Sequence, residues 1–440
     1  MARCRHFLTA FVLCSRLTIA EVNEADWWDD RWESRLPIVV QAQPGLHTNR
    51  PVVIHWEEII RALGNAEVRP SSLRLVDKEK LIPFQIDHRD EKGRILPPGN
   101  LVLDPQDELV FVCRSEQELK LHLYFSALPK PLVAFPASVK VTSGRGFRRR
   151  AHQTLSTAGM EIAVQGDGLL DRSAHQAINY GRGSVVELIW QRVNLISHVN
   201  WNICMNQHPF SSWTGGDNRW QMVKLVVDGP VRKVVAARIT NFRKRDKDGR
   251  DLIQVDVTRT FSMYSGVPHF DIENVARFSQ VPPDWTATYA DRFLPGGRRD
   301  ANDVLWDAST GKLQKFALAE KNLDANPRGE LVSHDKVVDG WYAWIDQKVK
   351  TGLAVFYRTG KVGSDEPSAD AVGFSAGWRM WSNINWMSFR YEGLKAPTTL
   401  RHRFRVIGLK DAVPEQVAAE YRIWASDDGN WVTIGNLERR

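Results

Sequence analysis

The densest set of groups able to act on a polar ligand lies between residues 197 and 220. There Ser197-His198-Val199-Asn200-Trp201-Asn202 is followed by His208, Trp213 and Gly215-Gly216-Asp217-Asn218-Arg219-Trp220. In an extended strand alternate side chains share a face, so His198, Asn200 and Asn202 would offer one imidazole and two amides to the same ligand. Amides and imidazole hydrogen-bond hydroxyls or a carboxylate, while an indole such as Trp201 or Trp213 covers the apolar side of a pyranose. The same pattern also describes a half-buried strand whose alternate residues meet water and whose Trp201 sits in a core. Sequence leaves both readings open.

A second group, Tyr264, His269, Tyr289, Asp291 and Arg292, carries the residue types of a β-elimination. Cleaving a uronate this way requires neutralising the sugar carboxylate, removing the proton beside it and protonating the departing oxygen. Arg292 or Asn200 suits the first task, His198 or His269 the second and Tyr264 the third. Tyr264 precedes a Ser-Gly turn, where a tyrosine also serves as a hairpin anchor, and His269 has an equivalent structural reading. Hydrolysis would need two carboxylates instead, and Glu187, Asp217, Glu273 and Asp291 are the candidates.

Further candidates for contacts with a ligand are Arg259, His334 and Trp341. Arg259 falls on the apolar side of an alternating strand, where an unpaired guanidinium is costly, so it should pair with a carboxylate or line a wet groove. His334 precedes Asp339-Gly340-Trp341-Tyr342, and the period of two sends Trp341 and Tyr342 to opposite faces. One of them should look away from the core if the other is buried. Trp378, Trp381 and Trp386, interleaved with Asn383 and Asn385, form another aromatic cluster.

No metal site and no cofactor are called for. Asp246, Asp248, Gly249 and Asp251 resemble a fragment of a calcium loop but lack its full ligand spacing and terminal Glu, so a solvated hairpin is the reading, and Asp300, Asn302 and Asp303 read as a polar loop. The P-loop, dinucleotide, zinc-protease and nucleophile-elbow patterns are absent from the sequence. With 440 residues, 43% of them apolar, and 17 Trp, the chain is globular and long enough for two or three domains.

Arg3, Arg5 and His6 before the apolar run FLTAFVLC, with Ala20 as a small residue at a cut, shape residues 1–20 as a secretory signal for a secreted or periplasmic protein. Cleavage would remove three arginines and no acid, lowering the net charge from +7 to about +4. That mild basicity admits an acidic saccharide partner and falls short of a nucleic-acid footprint. The Arg148-Arg149-Arg150 run reads as a solvated linker, and no apolar run reaches the ~18 residues of a membrane helix. Cys113 and Cys204 remain after the signal, as buried thiols or as one disulfide.

The elements that must position these groups are strands. From Trp27 to Phe125 short alternating runs (RLPIVVQ, PVVIHW, SSLRLVD, LIPFQID, DELVFVC, LKLHLYFS) with one helical turn at Glu57–Leu63 predict a β-sandwich over 26–126. Pro129, Pro131 and Pro136 make 127–138 a stiff connector. Beyond it, MVKLVVD, VRKVVAARIT, LIQVDVTRTFSMY and VPHFDIENVARF read as a meander joined by Asp228-Gly229-Pro230, the 246–249 hairpin and Ser265-Gly266. Parallel crossovers are not apparent, and DAVPEQVAAEYRIWAS is the one long helical candidate. An all-β chain follows: an N-terminal β-sandwich and then, over 139–440, a large antiparallel two-sheet supersandwich.

The succession GPVRKVVAARI, TFSMYSG, PHFDIENVARF, DGWYAWIDQKVKTGLAVFY and LRHRFRVIGL resembles the galactose-mutarotase-like supersandwich of carbohydrate-active proteins, over about two thirds of the chain. WWDDRWESRLPIVV with LIPFQID is similar to the small β-sandwich that precedes such bodies in secreted bacterial polysaccharide-processing proteins. The resemblance implies a polysaccharide or oligosaccharide ligand. Lyases, glycoside-hydrolase domains, epimerases and, as a non-catalytic alternative, saccharide-binding proteins all fall within it, and the residue types favour a lyase on a uronate-containing substrate.

Overall fold

The computed structural model describes residues 27–64, 68–90, 95, 103–114, 116–145, 151–165, 185–205, 208–210, 222–245, 247–283, 285–295, 304–307, 314–317, 330–335, 339–346, 350–360, 365–379, 382–426 and 431–440. Residues 1–20, Arg148-Arg149-Arg150, Trp213, Asp217, Trp381 and Asp300, Asn302 and Asp303 lie outside them.

The N-terminal elements are β1 (Ser34–Val40), β2 (Asn49–His55), α1 (Trp56–Leu63), β3 (Arg74–Asp77), β4 (Lys80–Leu81), β5 (Phe84–Asp87), β6 (Glu108–Arg114) and β7 (Leu119–Phe125). Then come β8 (Lys140–Arg145), β9 (Ala151–Thr157), β10 (Met160–Gln165), β11 (Val185–Trp190), β12 (Val193–Met205) and β13 (His208–Phe210). The meander is β14 (Met222–Asp228), β15 (Arg232–Arg245), β16 (Asp251–Tyr264) and β17 (His269–Gln280). It is followed by β18 (Trp285–Pro295), β19 (Val304–Asp307), β20 (Gln314–Ala317), β21 (Glu330–Asp335), β22 (Asp339–Asp346) and β23 (Thr351–Thr359). Last are β24 (Ala371–Arg379), β25 (Ser382–Leu394), β26 (Thr398–Lys410), α2 (Pro414–Ala425), β27 (Val432–Ile434) and β28 (Glu438–Arg439).

Among the described residues these strands form four sheets, and the protein is all-β with antiparallel pairing. Two sheets, β27-β1-β7-β3-β4 and β2-β6-β5, make the small sandwich. Its core follows the period of two: Leu121, Leu123 and Phe125 of β7 pack with Leu36, Ile38, Val52, Ile54, Leu109 and Phe111, while Lys120, His122 and Tyr124 alternate out. The helix α1 closes one side with Trp56, Ile59 and Leu63. Glu57 and Glu58 in its first turn and Arg61 in its last match the helix dipole.

The large body stacks a ten-stranded sheet, β21-β24-β25-β18-β12-β11-β10-β9-β8, on a nine-stranded one, β14-β15-β16-β17-β26-β23-β22-β19-β20. β13 pairs with β12 beside the first path. Leu155, Ile162, Leu188, Trp285, Phe389 and Tyr391 from the first meet Val257, Phe261, Phe270, Ile272, Trp344, Val355 and Phe404 from the second in one buried core. Trp190 packs so closely over β26 that a Cβ on Gly408 would strike its ring, and its Nε1 donates to Leu409 O at 2.9 Å.

Two expectations change here. The last strands return to the start of the chain, β27 pairing with β1 (Ile38 opposite Ile434) and β28 with Ser34 and Arg35. By pairing, residues 432–439 therefore belong to the small sandwich and not to a body running through 139–440. Trp341 and Tyr342 are also both buried, at 3% and 0% exposure. Tyr342 enters the core between the sheets, and Trp341 lies under α2 with Trp306, Phe356 and Trp424. The nine-stranded sheet is covered on its second face, so alternation there does not separate core from solvent. Among the described residues no helix is long and apolar enough to cross a membrane.

Candidate functional site

Apart from Trp341, buried beneath α2 and so closed to a ligand, and Trp213, outside the described residues, the nominated residues fall in three places. Tyr264 and His269 do meet, across the β16–β17 turn, with ring centroids 6.0 Å apart in an edge-to-face arrangement. Both lie on the face of the nine-stranded sheet that the small sandwich covers, at 4% and 2% exposure. Val110 of β6 packs with Tyr264, Val231 and Val267, and the Arg232 guanidinium stands 5.9 Å from the tyrosine ring.

This seam is held by ions that the sequence did not single out. Arg232 donates from Nε to Asp87 Oδ2 at 2.6 Å and from its terminal nitrogen to Glu108 Oε2 at 2.6 Å, and Arg89 adds a second cation to Glu108 at 2.7 Å. Gln85 Oε1 accepts from the backbone of Val231 and Arg232 at 2.9 and 2.7 Å, above Gly229, whose missing Cβ leaves room for that amide. Arg405 holds Asp271 through two hydrogen bonds of 2.7 and 3.0 Å. Burial alone would raise the Glu108 carboxyl, but Arg89 and Arg232 outweigh it and bring it down to about 2.

Burial, with Asp271 adding to it, pushes Tyr264 up to about 12 despite Arg232, and burial with Arg405, His47 and Arg50 drives His269 well below its usual range. His269 is therefore neutral, and its Nε2 is buried without a hydrogen-bond partner among the described residues. An acid and a base at this spot are sealed from a polymer. The roles of Tyr264 as acid and His269 as base in an open cleft do not fit their place in the fold.

Arg259 occupies a second place, between the two large sheets, at 0% exposure. Its Nε donates to Asn274 Oδ1 at 2.7 Å, and its guanidinium lies 5.7 Å from the Phe261 ring. Across the strands Arg259, Asn274, His402 and Thr359 stand in one row, and Tyr391 of the opposite sheet reaches His402 Nε2 at 2.7 Å. Burial, and Arg259 after it, brings His402 down to about 3, so the imidazole is neutral. Its 0% exposure excludes a wet groove, and among its described neighbours is a buried belt of amide, imidazole and hydroxyl groups.

The third place is the ten-stranded sheet, where strand register brings distant segments together. Asn200 on β12 stands opposite Arg292 on β18, and Arg292 opposite Trp386 on β25. Trp386 is three residues from Phe389, whose ring is in the core, so this row has the parity of the face turned away from the core. With adjacent strands about 4.8 Å apart, an amide, a guanidinium and an indole position fall within about 10 Å. His198, two residues from Asn200, holds the position opposite Leu294 on the same strand pair.

Other nominees in this sheet have the opposite parity. Trp201 pairs with Asp291, which pairs with Met387; His334 pairs with Val372, itself buried and opposite Phe389; His208 pairs with Met205, in the row of Ala287 and Tyr391. Of the hydrolase candidates, Glu187 is half-buried on β11, and Glu273 and Asp291 belong to different sheets. Glu273 is committed to Arg401 at 2.6 Å; burial would raise it, yet Arg401 and Arg89 hold it at about 2. Glu273 is therefore an ion-pair member and not a proton donor.

No family model matches the sequence, and no curated protein matches it. The fold is similar to an α-mannosidase from Enterococcus faecalis V583, at 10% identity and a TM-score of 0.51, over 92% of this chain and 46% of that one. A second Enterococcus faecalis structure, described as a protein in the glycosyl hydrolase family 38, aligns at 10% identity with a TM-score of 0.49, over 92% of this chain and 48% of that one. A galactose mutarotase-like protein from Clostridium acetobutylicum aligns over 62% of this chain and 99% of its own, at 10% identity and a TM-score of 0.39. The chain spans less than half the length of the two Enterococcus proteins. At such identity the likeness to the α-mannosidase defines a fold class, a large β-sandwich body with a smaller β-module.

Proposed function

We propose that the chain is a carbohydrate-active protein whose saccharide-contacting surface is the outward row Asn200, Arg292 and Trp386 of the ten-stranded sheet. The single observation behind this reading is that row: three strands far apart in sequence bring an amide, a guanidinium and an indole position side by side. The α-mannosidase fold likeness supports the substrate class. An indole covers the apolar face of a pyranose, an amide reads its hydroxyls, and a guanidinium pairs with a planar carboxylate, which favours an acidic polysaccharide or oligosaccharide. The leader-like residues 1–20 add export to the reading.

Of the roles required by β-elimination, Arg292 or Asn200 on the carboxylate and His198 as base remain on one strand pair. Tyr264 belongs to the other sheet, so a proton donor for the departing oxygen would have to come from this face. The test is calorimetric titration with oligouronates and neutral oligosaccharides, followed by ultraviolet detection of unsaturated uronate in the products. Arg292→Ala should weaken oligouronate binding by about 10–100-fold, and Trp386→Ala by about tenfold. Appearance of the unsaturated product would carry the reading on to a lyase, and binding without it to a saccharide-binding protein. Failure of every saccharide to bind, or wild-type affinity in both variants, would refute the proposal.

A further inference from the structure

The small sandwich carries an aromatic and cationic cluster that the saccharide row does not use. Tyr124 of β7, on the strand's outward parity, lies between Arg35 of β1 and Arg74 of β3 in the cross-strand register. Over it stand Trp27 and Trp28, 5.5 and 5.8 Å from the tyrosine ring, and Trp32 lies 5.3 Å from Trp28. Trp28 N donates to Tyr124 Oη at 3.0 Å and Trp32 Nε1 to Ser72 O at 2.7 Å, so the rings are fixed in place. Trp32 is buried, whereas Trp27 and Trp28 stay half-exposed.

Four cations surround these rings. Arg35 lies 4.8 Å from Trp27, and Arg31, Arg74 and Lys130 lie 5.5, 5.3 and 5.4 Å from Trp32. Asp29 takes Arg31 at 2.9 Å, and Glu438 takes Arg35 at 2.5 Å. The described hydrogen bonds of Arg74 all go to carbonyl oxygens, those of Ser71, Leu73 and Pro131. Lys130 donates to Arg31 O at 2.9 Å and reaches Asp29 only through its field. Two of the four positive charges thus have no hydrogen-bonded carboxylate among the described residues. A face that only had to shed water would gain nothing from that surplus; an anion beside a stacking ring would complete it.

We propose that this face is a binding site for an anionic saccharide, carboxylated or sulfated, that stacks on Trp27 and Trp28 and places its acid group at Lys130, the less buried of the two cations without a hydrogen-bonded carboxylate among the described residues. The site is independent of the row on the ten-stranded sheet. The experiment uses the full chain carrying Arg292→Ala and Trp386→Ala together, so that saccharide binding read by titration reports this face. Oligogalacturonate supplies the carboxylate arm, dextran sulfate the sulfate arm, and neutral dextran the control.

At least one charged glycan is expected to bind about tenfold or more tightly than dextran, and the arm that does so names the acid group. Adding Trp28→Ala should weaken that binding by about tenfold, and adding the surface change Lys130→Glu should do the same while leaving the circular dichroism spectrum native. Wild-type-like affinity in the Lys130→Glu protein, equal binding of dextran, or no charged glycan bound at all would overturn the proposal.

Discussion

Replacing Arg232 by Met should unlock the seam between the two sandwiches in a pH-dependent way. Arg232 is 3% exposed, and it bridges Asp87 and Glu108, both 4% exposed, through hydrogen bonds of 2.6 Å. Removing one partner of a buried ion cluster leaves carboxylates desolvated without their cation, a loss of about 3–5 kcal/mol. The pH dependence follows from Glu108, whose folded value of about 2 lies below its ordinary 4.5. A carboxyl lowered in the folded state stabilises the protein above pH 4.5, by about 3 kcal/mol, and that contribution disappears as pH falls toward 2. In Arg232→Met, Arg89 and the weaker field of His55 are left to oppose the burial penalty, so much of the contribution is gone at every pH. The stability gap between wild type and variant, read from urea midpoints, should be widest at neutral pH and close as pH falls through 4.5. A gap under about 1 kcal/mol at neutral pH, or one that stays constant into acid, would refute the account of the seam.

The neighbouring imidazole has the opposite lesson. His269 is neutral when folded and lowered from 6.5, so stability is lost as pH drops below 6.5 and the unfolded chain takes up the proton. His269→Phe keeps the ring against Tyr264, deletes an Nε2 that has no partner among the described residues, and should raise stability by up to about 1 kcal/mol at neutral pH while flattening the acid limb of a denaturation profile. In the core, Gly408→Ala would drive a methyl into Trp190 and break its hydrogen bond to Leu409, costing about 2–4 kcal/mol by chemical denaturation.

What the sequence made legible depended on how many layers cover a strand. The meander β14–β17 was readable because its turns at Asp228-Gly229-Pro230 and Ser265-Gly266 and its alternation in β16 are local signals. Alternation failed as a guide to solvent for the nine-stranded sheet, because the small sandwich and α2 cover the face that the period of two assigns to water. Tyr264, His269 and Trp341 are polar or aromatic residues on that second face, and they looked like ligand contacts for that reason alone. Arg259 was recognised as anomalous, but its partner Asn274 lies on the next strand and His402 one strand further, and only register brings that belt together. The same holds for Arg232, 145 residues from Asp87 and 124 from Glu108. The row Asn200, Arg292 and Trp386 is the converse case: Asn200 and Arg292 stand out as candidate ligand contacts and Trp386 only as part of an aromatic cluster, and the sheet order β25-β18-β12 supplies the adjacency that no local pattern could. A functional surface on a sheet is written across its strands, whereas sequence is read along them.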